Sequence, residues 1–181
     1  DDHSTDDTSR IVEQFRAKHY NIKLIKLVDE LNGEILNSYK KKAIENAIGY
    51  ATGHWIITTD ADCIAKTNWL KSYDAWIQLQ QPVFVAAPVV FTNNGSLLQT
   101  FQFIDFMSLQ GVTAASVNAG FHNMCNGANL AYKKEVFFEV NGFKGIDNIA
   151  SGDDMLLMNK IKQHYPNNVS FLFSKEAIVS T

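Results

Sequence analysis

Short apolar runs alternate with helically spaced stretches through the first half of this chain, and that alternation most narrows the folds open to it. Asn21 to Val28, Trp55 to Thr59 and Val83 to Ala87 are strand-length and rich in β-branched and aromatic residues. Between them lie helical patterns. Ser4 to Thr8 supply helix-start residues, and Ile11, Val12 and Phe15 then recur at helical spacing to about Lys18. Ser38 predicts the cap of a helix running to Ala51, with Ala43, Ile44, Ala47 and Ile48 inward and Thr52-Gly53 closing it. Thr67 to Gln80 reads as a further helix carrying Trp69, Leu70, Tyr73, Trp76 and Ile77, stopped by Pro82. Strands alternating with helices predict an α/β fold, one domain with a mostly parallel sheet and helices on both faces. Ligands of such sheets bind beyond the carboxyl ends of the strands.

The second half is less regular. Asn32-Gly33 marks a loop and Asn93 to Ser96 a turn. The segment from Leu97 to about Val117, with Phe101, Ile104, Phe106 and Leu109, is apolar enough to predict core packing ahead of the alternative, a substrate- or membrane-facing surface. A loop over Asn118 to Asn126 leads to a strand at Ala128 to Tyr132, a helix near Glu135 to Val140 and a turn at Asn141 to Phe143. Asp153 to Gln163 reads as a helix and Val169 to Phe173 as a strand. Both ends read as cut. Asp1-Asp2-His3-Ser4 has no strand to deliver it, and Ala177 to Thr181 stops in a strand pattern, so a longer parent protein is expected.

A net charge of -3 and no basic stripe argue against a nucleic-acid partner. Cys63 and Cys125 are far apart in sequence and read as reduced thiols, the cytoplasmic pattern. No apolar run approaches the roughly 20 residues that cross a bilayer.

Asp60-Ala61-Asp62 closes the apolar run from Trp55. An extended backbone would place both carboxylates on one face at a strand tip, a hard-oxygen site for Mg2+ or Mn2+ together with substrate phosphates. A surface turn that happens to hold two Asp is the plainer alternative. Three other clusters bear on the choice. Asp1-Asp2-His3-Ser4-Thr5-Asp6 is a polar turn entering a helix, Lys40-Lys41-Lys42 opens another, and Gly152-Asp153-Asp154 starts a third. Each has a structural explanation of its own: capping, a solvated face, and complementing the helix dipole.

In this order the clusters resemble the inverting family 2 glycosyltransferases of the GT-A fold. That family runs V-D-D-x-S-x-D, G-K-x-x-A-x-N, a strand ending in D-x-D, G-x-N-x-A, then E/D-D-x-x-L. Here the corresponding residues are Asp1 to Asp6, Lys41 to Asn46, Asp60 to Asp62, Asn126-Gly127-Ala128-Asn129-Leu130-Ala131, and Asp153-Asp154-Met155-Leu156-Leu157. Val136 to Phe143 also resembles the family's helix and Gly-Phe turn. Lys40 stands where the family carries Gly, and the family's first strand would lie before residue 1.

The resemblance implies a nucleotide diphosphate sugar donor and a carbohydrate or lipid-linked hydroxyl acceptor. Asp1, Asp2 and Asp60 would hold base and ribose, Asp62 with Asp60 a Mn2+ or Mg2+ ion, and Lys41 the phosphates. Asn126, Gly127 and Asn129 would border the donor sugar. Asp154 would be the base and Asp153 its neighbour. The implied location is the cytoplasm or the cytoplasmic face of a membrane, reached through segments outside this chain. Two other readings compete: a haloacid-dehalogenase-type phosphatase, which wants a small pair such as Gly-Thr where Cys63-Ile64 stands, and a non-catalytic nucleotide- or carbohydrate-binding domain.

Overall fold

The computed structural model describes every residue except 32–36, 94, 122, 123, 148 and 150, so the expected Asn32-Gly33 loop lies outside the described residues. Its chain contacts form two compact units, Asp1–Thr52 with Phe143–Ser151, and Gly53–Gly142 with Gly152–Thr181.

The first unit carries three helices: α1 (Thr8–Arg16), α2 (Leu27–Leu31) and α3 (Tyr39–Tyr50). Ser38 is the N-cap residue of α3, as its position predicts. Ile48 is buried there, whereas Ala47 is exposed. Leu27 and Leu31 of α2 are buried, and α1 buries none of its residues. The expected strand over Asn21 to Val28 does not form. Residues 22–26 have no regular structure, and Leu27 already begins α2. The reason lies in the partner. The Asp1 amino group donates to the Ile25 carbonyl at 2.7 Å and the Leu27 N–H to the Asp1 carbonyl at 2.9 Å, a single parallel bridge rather than a ladder.

The second unit holds β1 (Trp55–Thr58), β2 (Ile64–Ala65), α4 (Trp69–Gln80), β3 (Phe84–Ala86), β4 (Val89–Val90), α5 (Leu97–Asn118), β5 (Leu130–Lys133), α6 (Lys134–Glu139), α7 (Asp153–His164), β6 (Val169–Phe171), a 3-10 turn at Lys175–Ala177 and β7 (Val179–Ser180). Its main sheet has the order β1-β5-β3-β6. β1, β3 and β6 share one direction, and β5 runs against both neighbours, so the sheet is mixed. A smaller sheet, β2-β7-β4, is built of two-residue strands.

Alternation sorts the main sheet into two faces. Ile57, Ala131, Val85 and Ser170 stand in register, and this row meets α4. Tyr73, Val85, Ala87, Ala131, Leu172 and Ala177 form a buried cluster there, with Trp55, Ile57, Trp69, Trp76 and Ile77 packed on it. The Trp76 indole N–H donates to the Ser170 hydroxyl at 3.0 Å. The opposite row brings Phe84 and Tyr132 together, stacked at 6.2 Å, with Phe137 of α6 stacked on Tyr132 at 5.7 Å. On α7, Leu157, Met158 and Ile161 are buried, and the Lys160 ammonium donates to the Gly142 carbonyl at 2.6 Å.

Residues Leu97 to Val117 form the helix α5, but it is not a core helix. Only Thr113 and Val117 are buried, while Leu97, Phe101, Ile104 and Val112 are exposed. Composition alone cannot separate an internal helix from one whose apolar face is left open. Among the described residues, no helix is long and apolar enough to cross a membrane.

Candidate active site

The reversed strand β5 assembles the site. The loop that follows a parallel strand emerges at its carboxyl end, whereas the loop that precedes an antiparallel strand arrives at that same end. Thr58, the last residue of β1, stands opposite Leu130, the first residue of β5. The segment Asn126 to Asn129 therefore lies beside the chain leaving β1 toward Asp60.

Asp60 and Asp62 sit in a turn rather than on an extended tip. β1 ends at Thr58, and the Cys63 N–H donates to the Asp60 carbonyl at 3.2 Å. The strand-alternation argument for their shared face is thus replaced by turn geometry. Asp60 is half-buried and Asp62 exposed, with the Cys63 thiol 3.7 Å from Asp62 Oδ1. Burial, followed by the nearby Asp62 carboxylate, pushes that thiol up. Among the described residues, no group of three or more His, Cys, Asp or Glu is placed to hold a metal. Two carboxylates still suit Mg2+ or Mn2+, which commonly take one or two protein carboxylates and complete their shell with water and substrate phosphate.

Hydrogen bonds link the strand end to the acidic helix start. The Thr58 hydroxyl donates to the Gly127 carbonyl at 2.7 Å. The Gly127 N–H donates to Asp154 Oδ2 at 2.7 Å, and the Met155 N–H to Asp154 Oδ1 at 2.7 Å. Both carboxylate oxygens are thus held by main-chain donors. Asn126 shapes the loop from within: its Oδ1 accepts the Ala128 N–H at 3.0 Å, and its carbonyl accepts the Asn129 N–H at 3.0 Å. Asp153 and Asp154 open α7, with Gly152 in a left-handed conformation (φ 73°) before them. Burial first, then the charges of Asp154 and Asp153, push the Cys125 thiol well above its ordinary range.

Asn129 departs from its expected place beside the donor sugar. It is fully buried. Its Oδ1 accepts from Trp69 Nε1 and the Tyr73 hydroxyl, both at 2.9 Å, and its Nδ2 donates to the Pro88 and Ala177 carbonyls, both at 2.7 Å. Every hydrogen-bonding position of the amide is used, so no ligand contact remains. Asn129 instead ties β5 to α4, the β3–β4 link and the 3-10 turn. No sequence signal marks that role, because the pattern that names this Asn says nothing of Trp69, Tyr73, Pro88 or Ala177.

In the first unit the expected nucleotide ligands are placed as follows. The Asp1 carboxylate accepts the Ser4 N–H at 3.1 Å and the Ser9 hydroxyl. Asp2 is exposed and pairs with His3 Nδ1 at 2.7 Å. Lys41, expected at the phosphates, is only 2% exposed. Its ammonium donates to the Ile146 carbonyl at 2.7 Å and to that of Ile149. Placed there, it holds the chain at Ile146 and Ile149 and is no surface cation.

The family model described as "Glycosyl transferase family 2" matches residues 1–139. The chain belongs to glycosyl transferase family 2. As a member of that family it has the expected α/β fold in its GT-A form, and membership displaces the phosphatase reading. Among solved structures, S. aureus TarS 1-349 in complex with UDP-GlcNAc matches with a TM-score of 0.68 at 20% identity, covering 100% of this chain and 47% of that one. The same TarS fragment without ligand matches at a TM-score of 0.69 and 19% identity, over 98% and 48% of the two chains. Its complex with UDP matches at 0.66 and 19%, over 100% and 49%. This family 2 chain thus spans about half the length of these structures, and the likeness at such identity is one of fold. No curated protein sequence matches it.

Proposed function

We propose that the full protein transfers a glycosyl unit from a nucleotide diphosphate sugar to a hydroxyl acceptor, with inversion at the anomeric carbon and dependence on Mn2+ or Mg2+. The observation that carries this reading is the Asp154 carboxylate, held through both oxygens beside the loop that borders the end of β1. The family supports the reaction class, and TarS, solved with UDP-GlcNAc and with UDP, supports the donor class.

The acceptor hydroxyl must lose a proton as its oxygen attacks the anomeric carbon. Each carboxylate oxygen offers about two lone-pair directions, and the N–H groups of Gly127 and Met155 take one apiece. One direction on each oxygen is left to receive the proton, and the two main-chain bonds fix where it points. Pre-set orientation of this kind removes much of the entropic part of a barrier. Attack from the face opposite the leaving diphosphate inverts the centre. Asp62 and Asp60 would hold the divalent ion, which when bound offsets the negative charge gathering on that diphosphate. Asn126 and Gly127 would border the sugar as the walls of that loop, and Asp153 flanks the base. Membrane association and a cytoplasmic-facing site belong to this reading as features of the whole protein.

The test is Asp154→Asn in the full-length protein, assayed for transfer from a panel of nucleotide diphosphate sugars with Mn2+. Loss of general base catalysis lowers turnover about 10²–10⁴-fold. Transfer at near the parent rate removes Asp154 from the role.

A further inference from the structure

Gly127 uses both of its main-chain groups in the site: the carbonyl takes the Thr58 hydroxyl, and the N–H holds Asp154 Oδ2. We propose that Thr58 is a positioning residue for Asp154, acting through Gly127. The proposal rests on Asp154 being the base.

Thr58 is suited to that task. Its backbone is fixed by the β1–β5 ladder, opposite Leu130, and a β-branched side chain on a strand has few rotamers. The hydroxyl thus starts from a laddered strand and reaches three residues upstream of its pairing partner. Among the described residues, Asp154 has no comparable anchor of its own. Its other oxygen is held by the next residue of its own helix turn, Met155, and that bond travels with the helix. Among the described residues, only the Gly127 bond ties the carboxylate to the sheet, and the Thr58 hydroxyl locks the Gly127 carbonyl. Asn126 braces the same loop through its bonds to Ala128 and Asn129, but neither reaches the Gly127 carbonyl. With valine at position 58, that carbonyl loses its donor and the neighbouring peptide is free to turn, taking the Gly127 N–H away from Asp154.

The experiment is a cycle in the full-length protein: Thr58→Val, Thr58→Ser and Asp154→Asn, alone and combined, assayed for glycosyl transfer with saturating Mn2+. One lost hydrogen bond held in the reacting geometry corresponds to about a tenfold fall in kcat. Thr58→Val should show that fall with the donor KM within about twofold of the parent, while Thr58→Ser keeps the hydroxyl and stays within about twofold in both. In the Asp154→Asn background, Thr58→Val should lower the residual rate no further, since residues acting in series are not additive. Should valine unfold the strand, Thr58→Ala repeats the removal in a smaller side chain. Parent-level kcat in Thr58→Val, a serine variant as slow as the valine one, or an equal fall in both backgrounds overturns the proposal and leaves the base role of Asp154 standing. Near-full activity in Asp154→Asn overturns both.

Discussion

Asn129→Ala is the most telling perturbation of this fold, because it removes one amide and strands groups from three separate elements. The Tyr73 hydroxyl and the Ala177 carbonyl belong to residues that are 0% exposed, and each has Asn129 as its partner. The Pro88 carbonyl keeps the Val179 N–H at 3.2 Å, and the half-buried Trp69 indole can recruit water, so these two add little. A buried polar group left unsatisfied costs about 1–3 kcal/mol. Two such groups give about 2–6 kcal/mol, a large share of the roughly 5–15 kcal/mol that holds a domain folded. Urea unfolding followed by tryptophan fluorescence measures it well, since Trp55, Trp69 and Trp76 all lie in the second unit. Asn129→Asp sharpens the result. Its carboxylate can still accept from Trp69 and Tyr73 but points an oxygen at two carbonyls, and protonation restores one donor, so its deficit should grow as pH rises from acid to neutral. A loss below about 1 kcal/mol for the alanine variant would refute the claim that this amide joins β5 to its surroundings.

Other outcomes follow from the same structure. Burial raises the Tyr73 and Tyr132 phenols above their ordinary value of 10.0, so below that pH their contribution is intact; above it only the unfolded chain ionises. Stability should then fall by about 1.4 kcal/mol per pH unit for each, seen as a falling Tm in alkaline melts. Asp62→Asn should raise the Mn2+ concentration needed for half-maximal transfer at least about tenfold, read from a metal titration of the full-length protein. Lys41→Met leaves the Ile149 carbonyl without its donor and the Ile146 carbonyl with the Ile149 N–H at 3.3 Å alone, and faster hydrogen exchange centred on Ile146 and Ile149 is the expected signature. Gly152→Ala puts a side chain where φ is 73°, at a cost of about 1–2 kcal/mol measurable in the same urea titration.

What could be read from the amino-acid order followed the range of the forces involved. Helices declare themselves locally, so Ser38 as a cap, Pro82 as a stop and the start of α7 at Asp153 were all legible. Strands depend on partners. Residues 22–26 have the composition of one yet find a single bridge to Asp1, and β2, β4 and β7 are two residues long, too short for any period to show. The antiparallel insertion of β5 is likewise invisible in composition, although it is what sets the Asn126–Gly127 loop beside the end of β1. Residue type identified Asp154 as a candidate but could not foresee its two main-chain donors. It misplaced Lys41 and Asn129, whose partners lie at least 41 residues away in sequence.

The open face of α5 has a practical side. Twenty-two residues with Asp105 as their sole charge, turning leucine, phenylalanine and isoleucine outward, make a sticky rod. Handled in isolation, the polypeptide should clump as it is concentrated and be kept dispersed by mild detergent, and replacing Leu97 and Phe101 with glutamate is the simplest route to a well-behaved sample.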